Sequence, residues 1–368
     1  MRILVRLGDL FGAEKLIPID SAHVSGVSYK TLGDAPIEFL RAFATQGARA
    51  KVPTTLNPQS LDQQYLRRRL PARLVEKQLD ILDQYGRMGF ERCLTCTPYH
   101  LRTPRRGAHL AWAESSAVVY ANSVLGAWTN REGGPSALAA SVVGKTPDYG
   151  MHRRENRQPN VLVEVGKPLE NEVEYGALGA YLGKSLGDRI PAIQGIDGAE
   201  EDWLKQLGAA LATTGMANMF CKTGSRKDRQ LEKIAVEAAD ISGTVESLSS
   251  GANAKPDLVF IGCPHCSMSE IERVAGLVKG RKVKPDTEFW VCTSQCVKQK
   301  AGPCVEQIEA SGGHVLEGVC TVVSWIEVLG IRTMVTNSVK TAYYAPTLCK
   351  AEATLAPLRD CVDAALQG

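Results

Sequence analysis

Two Cys-x-x-Cys pairs stand out in the chain, CLTC at residues 93–96 and CPHC at 263–266. They belong to a set of eleven: Cys93, Cys96, Cys221, Cys263, Cys266, Cys292, Cys296, Cys304, Cys320, Cys349 and Cys361. The number is odd, and the first residues, MRILVRLGDLFGAEKL, lack a secretory pattern. Both observations point to a reducing compartment, where cysteine serves as a small buried hydrophobe, a metal ligand or a catalytic group. Three chemistries fit the pairs. Together they could make a four-thiolate zinc site, although zinc ribbons keep their pairs much closer than these stand. CPHC alone could be a redox dithiol, because it follows a strand-like run and precedes a helical one. Finally, an iron–sulfur cluster held by fewer than four cysteines would leave one iron open as a Lewis acid.

A second group of residues could bind an anion. The stretch ESSAVVYANSVLGAWTNREGGPSALAA starts at Glu114 and sets Asn122 and Ser123 inside an apolar helical run. Asn130, Arg131, Glu132, Gly133 and Gly134 then form a tight polar loop. Arg131 is a natural bidentate partner for carboxylate or phosphate, or it could pair with Glu132 or Glu114. Gly26, Val27 and Ser28 in SGVS can present backbone N–H groups and a hydroxyl, or simply make a turn. Asn57–Pro58 ends an extended segment and is a common turn pair. Lys340 follows the last strand-like run. His23 and His265 are either acid–base groups or local hydrogen-bonding residues.

The elements that must position these groups are clearest in the C-terminal third. DLVFIGC (257–263), EFWVCTS (288–294), HVLEGVC (314–320) and TMVTNS (333–338) read as four strands. SMSEIERVAGLVKG between the first two carries Ser267 and Glu270 at capping-box spacing. VKQKAG is part of a helix that Gly302 should end, and SWIEVLG is helical. Strands alternating with helices at this spacing predict a parallel sheet, and in such sheets ligands bind beyond the carboxyl ends of the strands. Cys263, Cys292 and Cys320 fall near three such ends, and Asn337, Ser338 and Lys340 follow the fourth. Upstream, residues 64–90 read as a charged amphipathic helix. EDWLKQLGAALATTGMANMF is a long helix whose Ala and Gly predict close packing. By texture the chain divides into a mixed α/β region, 1–250, carrying the substrate loops, and a parallel α/β region, 251–368.

Composition sets the outer bounds. The 368 residues are 44% hydrophobic and 23% charged, with a formal net charge of +3, which is ordinary for a globular protein with a large core and implies no nucleic-acid partner. The densest basic run, YLRRRLPARL at 65–74, reads as a solvated helix face. No window reaches the ~18 apolar residues of a membrane span. The expectation is a cytoplasmic protein.

Six blocks carry a family resemblance that patterning does not supply: HVSGVSYKTLGD, VPTTLNPQSLD, CTPY, ANSVLGAWTNREGGPSALAA, GCPH and TNSVKTAYYAPTLC. In this order they resemble the signature blocks of the aconitase X family and cover nearly the whole chain. The resemblance implies an aconitase-like α/β fold, with parallel-sheet domains around a central iron–sulfur site and no swivel domain. It implies a hydro-lyase that dehydrates a phosphorylated hydroxy acid, (R)-5-phosphomevalonate, with cis-3-hydroxy-L-proline as the competing substrate. It implies Cys96, Cys263 and Cys320 as ligands of a [4Fe-4S] cluster, with Cys349 in reserve, and leaves Cys93, Cys266, Cys292 and Cys296 without a role at the cluster. It implies substrate contacts from Gly26, Val27, Ser28, Asn57, Pro58, Asn122, Ser123, Arg131 and Lys340, of which Ser28, Asn122 and Lys340 are the catalytic candidates. The general base would come from a separate small swivel-domain subunit, so the expected partner completes the enzyme.

Overall fold

The computed structural model describes residues 1–91, 93–223, 230–250 and 255–367. The boundary expected at 250/251 falls at 251–254, outside the described residues. Three parallel sheets organise the chain. The first has three strands, in the order Thr54–Leu56, Ser21–Val24, Leu110–Trp112. The second has four, in the order Cys221–Lys222, Pro191–Gln194, Val161–Val165, Lys233–Val236. The third has five, in the order His314–Glu317, Glu288–Thr293, Leu258–Ile261, Thr333–Thr336, Glu352–Leu355.

The five-stranded sheet shows why its strands read as near-continuous apolar runs. Leu258, Phe260, Trp290, Cys292, Leu316 and Met334 face one core, which also takes in Val173, Ala210 and Val339. Val259, Ile261, Phe289, Val291 and Val315 face the other, packed by Ile271, Val274, Ile308 and Val362. A parallel sheet covered by helices on both faces has no solvent side, so alternation disappears. Each large side chain buried this way contributes roughly 1.5–3 kcal/mol. The four strands expected in this region are present, and Ser267 caps the helix Met268–Val278 by accepting from the Glu270 amide, as its spacing predicted.

Four expectations are corrected. The helix expected over 64–90 occupies Ala72–Arg87. Pro71 precedes it in extended geometry, and the Asp62 carboxylate accepts the amides of Gln64, Tyr65 and Leu66, which turns the chain before it. Arg69 in the basic run pairs with Glu288 instead of facing solvent freely. Gly302 does not close a helix but opens the next one, Gly302–Ala310, with Pro303 in its first turn, where a missing N–H costs nothing. A fifth strand, Glu352–Leu355, extends the sheet beyond the four expected.

The close packing expected of the Ala/Gly-rich helix is present. Helices Glu172–Leu186 and Glu201–Thr214 approach so tightly that a methyl group on Gly179 would meet the Leu207 carbonyl oxygen at 2.2 Å.

Candidate active site

Four strand ends converge on one buried polar group. Strand Ser21–Val24 carries His23, and Asn57 follows strand Thr54–Leu56. Glu114 follows strand Leu110–Trp112 and caps the helix Ser115–Tyr120. Lys340 lies in the first turn of the helix Val339–Tyr344, just past strand Thr333–Thr336. His23 Nε2 lies 3.2 Å from Asn57 Oδ1, and His23 Nδ1 lies 2.7 Å from Thr55 Oγ1. Asn57 Nδ2 donates to Glu114 Oε2 at 2.8 Å, and Lys340 Nζ donates to Glu114 Oε1 at 2.5 Å. Ser116 Oγ adds a third donor to Glu114 at 2.9 Å. Burial alone would push the Glu114 carboxyl up. The Lys340 charge and the bonds from Lys340, Asn57 and Ser116 outweigh it and hold Glu114 down at about 2. Glu114 in turn keeps the buried Lys340 ammonium charged.

The thiols lie against this ammonium. Cys320 and Cys263 sit together beside it and act on each other's ionisation. The adjacent Cys320 thiol and the Lys340 charge outweigh burial, which disfavours a thiolate, and lower the Cys263 pKa to about 6. Lys340 also acts on Cys96, whose thiol burial nevertheless raises. His265, in the loop after Cys263, donates its backbone N–H to Cys96 Sγ at 3.1 Å. Its ring Nε2 lies 2.8 Å from the Val319 carbonyl, which fixes the strand end that leads to Cys320. Gln59 braces the same segment: its N–H donates to Gly318 O at 2.9 Å, and Cys320 N–H donates to Gln59 O at 3.1 Å. Cys96, Cys263 and Cys320 therefore come from three separate segments to one charged pocket.

This donor set fits an iron–sulfur cluster. All three groups are sulfurs, Cys320 and Lys340 lower the pKa of one, a backbone N–H already bonds a second, and a cation would balance the negative charge that thiolate ligands bring. Among the described residues, no three His, Cys, Asp or Glu side chains close around one point at single-ion spacing. A cluster asks for something different, because each cysteine holds a different iron. The zinc reading finds no support in the positions of its four thiols. Cys93 lies beside Cys296, and Cys266 faces the opposite core of the sheet from Cys263. That last separation also argues against CPHC as a dithiol. Cys349 is buried, and its S–H points to the Thr321 and Val322 carbonyls beside Cys320.

The remaining expected residues divide into two groups. Gly26, Val27 and Ser28 lie next to the site on a braced turn. Gly26 has φ +82°, its carbonyl accepts from Tyr85 Oη, the Val27 carbonyl accepts from Gln78 Nε2, and Ser28 Oγ donates to Val323 O at 2.8 Å. Pro58 is buried directly after Asn57. Asn122 and Ser123 stand apart from this group. Asn122 Nδ2 donates to the carbonyls of Thr129 and Asn218, and its Oδ1 accepts from Thr129 N–H and Arg157. All four of its hydrogen-bonding positions are thus filled by protein groups. Ser123 Oγ accepts the Phe220 amide. Arg131 donates to Gly215 O at 3.3 Å and forms no salt bridge among the described residues. Glu132 instead accepts from Ser136 and Thr146. Sequence reasoning missed Glu114 as the centre of the site. Its one visible signal was a carboxylate at the N-cap of an otherwise apolar helix.

The chain belongs to the aconitase X family. The family's first domain matches residues 1–155, its second 159–246 and its third 256–367. The phosphomevalonate dehydratase large subunit of Methanocaldococcus jannaschii is 44% identical, over 96% of this chain and 91% of its own length. That of Methanothermobacter thermautotrophicus is 44% identical over 96% and 90%. The cis-3-hydroxy-L-proline dehydratase of Pseudomonas aeruginosa is 34% identical over 100% of this chain and 67% of its own length. The crystal structure of Thermococcus kodakaraensis aconitase X in its holo-form matches with a TM-score of 0.91 at 40% identity, covering 99% of this chain and 94% of that one.

Proposed function

We propose that this chain is the large subunit of a hydro-lyase that dehydrates (R)-5-phosphomevalonate to trans-anhydromevalonate 5-phosphate in an archaeal-type mevalonate route to isoprenoids. The observation that carries the reading is its chain-long likeness to five phosphomevalonate dehydratase large subunits at 37–44% identity, against 32–34% for two hydroxyproline dehydratases. The partner is a small subunit bearing the swivel domain, and the site of action is the cytoplasm.

Cys96, Cys263 and Cys320 would hold a [4Fe-4S] cluster, which supplies Lewis acidity that helps a hydroxyl group leave. The chain's own groups bind and orient the substrate. Lys340, kept charged by Glu114, meets one anionic group of the substrate. The Asn57 amide, held by His23 and Glu114, stands beside it as an oriented polar contact. The turn at Gly26, Val27 and Ser28 offers backbone N–H groups and one hydroxyl, with Pro58 forming a wall. Arg131, free of a carboxylate partner among the described residues, suits the phosphate. Asn122 positions the turn that carries Arg131 through its bonds to Thr129, and Ser123 ties the same helix end to Phe220. The group that removes the proton beside the carboxylate comes from the small subunit.

The test is anaerobic co-purification with the small subunit, iron and sulfide analysis, and an assay on (R)-5-phosphomevalonate. The expected result is iron, sulfide and an unsaturated phosphorylated product. A cluster with turnover of cis-3-hydroxy-L-proline alone would move the substrate assignment. Absence of iron and sulfide would overturn the site.

A further inference from the structure

Cys93, the first cysteine of CLTC, lies outside the thiols around Lys340. Its Sγ stands 3.1 Å from Cys296 Sγ, although the two residues are 203 positions apart in the chain. Cys93 belongs to the loop that leads into Cys96. Cys296 lies in the first turn of the helix Gln295–Lys300, directly after the strand Glu288–Thr293. Both are half-buried free thiols. Both line a cavity of about 160 Å³ with Thr55, Glu91, Arg102 and Trp112, so a small reagent can reach them. The gap is about 1 Å longer than an S–S bond.

We propose that Cys93 and Cys296 form a redox modification site, closing to a reversible disulfide that fastens the loop carrying Cys96 to the helix after the second strand of the five-stranded sheet. The oxidant is a low-molecular-weight disulfide, RSSR. The Cys296 thiolate attacks one sulfur of RSSR and expels RS⁻, giving a mixed disulfide. Cys93 then attacks the Cys296 sulfur and expels the second RS⁻. The two protein thiols lose two electrons and two protons, and RSSR leaves as two RSH. Burial and the hydrogen bond to Cys296 push the Cys93 thiol up to about 12, so Cys93 is the poorer first attacker and is assigned the resolving step.

The site is tested by mass and by exchange, so its outcome is independent of dehydratase activity. The full chain is equilibrated anaerobically in glutathione disulfide/glutathione mixtures, acid-quenched, alkylated and digested. The expected product is a Cys93–Cys296 crosslinked peptide, two hydrogens lighter than the separate thiols and reversed by excess glutathione. C93S should instead trap glutathione on Cys296, and C296S should give no crosslink. On oxidation, amide hydrogen exchange at residues 94–97 should slow at least tenfold in the wild-type chain and remain unchanged in C296S. Full alkylation of both thiols under a hundredfold excess of glutathione disulfide would overturn the site. A crosslink that leaves exchange at 94–97 unchanged would overturn the fastening. Both of these readings come from the wild-type chain and do not depend on a variant folding.

Discussion

Lys340 Nζ and Glu114 Oε1 lie 2.5 Å apart, largely buried, and join segments 226 positions apart in the chain. Among the described residues neither group forms another salt bridge, so the pair acts as one unit. Lys340→Met should cost roughly 3–5 kcal/mol of stability, because it strands the Glu114 carboxylate in the interior. Glu114→Gln should also destabilise, and the double variant should recover part of the sum. Urea unfolding of the four chains measures this as a double-mutant cycle. Strictly additive losses would show that the pair is not coupled.

Acid should loosen the fold well above the usual carboxylate range. Burial holds His23 and His100 down at about 4 and His152 down at about 3, with Lys205 adding to the effect at His100, and His109 and Arg157 at His152. An unfolded histidine takes up its proton near pH 6.5, whereas these rings do not. Their contribution is therefore complete above about pH 6.5 and is lost as the pH falls toward 4. By pH 5 the loss is roughly 2 kcal/mol per ring. Glu114 adds a separate term, present above its ordinary value and lost only between about 4.5 and 2. The expected observation is a urea midpoint that falls steadily from pH 7 to pH 5. A flat midpoint over that window would mean that the rings titrate normally.

Gly262, immediately before Cys263, has φ +114°. A methyl group there would meet the Cys292 carbonyl oxygen at 2.3 Å, in the middle of the sheet. Gly262→Ala should cost about 3 kcal/mol from backbone strain and overlap together. It should also lower iron retention after anaerobic purification if Cys263 is a cluster ligand as proposed, because the shift falls on that residue. Unchanged iron content and stability would show that the strand end absorbs the methyl group.

Lys205 is fully buried and bonds Glu270, with Asp202 3.4 Å away. It links the helix Glu201–Thr214 to the helix that follows CPHC. Lys205→Met should destabilise by roughly 3–5 kcal/mol, since it leaves Glu270 unpaired in the core. Lys255 pairs with Asp286 at the surface, both exposed, and Lys255→Met should leave the unfolding midpoint unmoved. Equal effects at the two lysines would contradict the contrast in burial.

The parallel sheet was legible because its strands are short apolar runs bounded by turn residues, and because Ser267 and Glu270 mark a helix start. The thiols at strand ends were legible for the same reason: a strand's end is a local property. The start of the helix over 72–87 was obscured by the helical spacing that continues through the turn held by Asp62. The fifth strand, EATL, is too short and mixed to declare itself. Glu114 could not be ranked from sequence, since its role depends on Asn57 and Lys340 arriving from distant segments. Asn122 looked like a ligand contact because an amide inside an apolar helix needs partners. It has them in the Thr129 backbone, the Asn218 carbonyl and Arg157, which only the folded chain brings near.

The site's groups are spread from His23 to Lys340, and this order constrains biosynthesis. When the ribosome begins the five-stranded sheet at Leu258, Cys96 and Glu114 have already been made, but Cys263, Cys320 and Lys340 have not. A nascent chain at that point would lack most of the proposed cluster ligands. If Cys96, Cys263 and Cys320 hold the cluster as proposed, loading would wait until almost the whole polypeptide has been released and its last sheet has formed. Until then Glu114 and Cys96 lack partners that the later segments bring, Lys340 and the His265 amide, so an oxidant meeting the chain during synthesis would find a different molecule from the finished one.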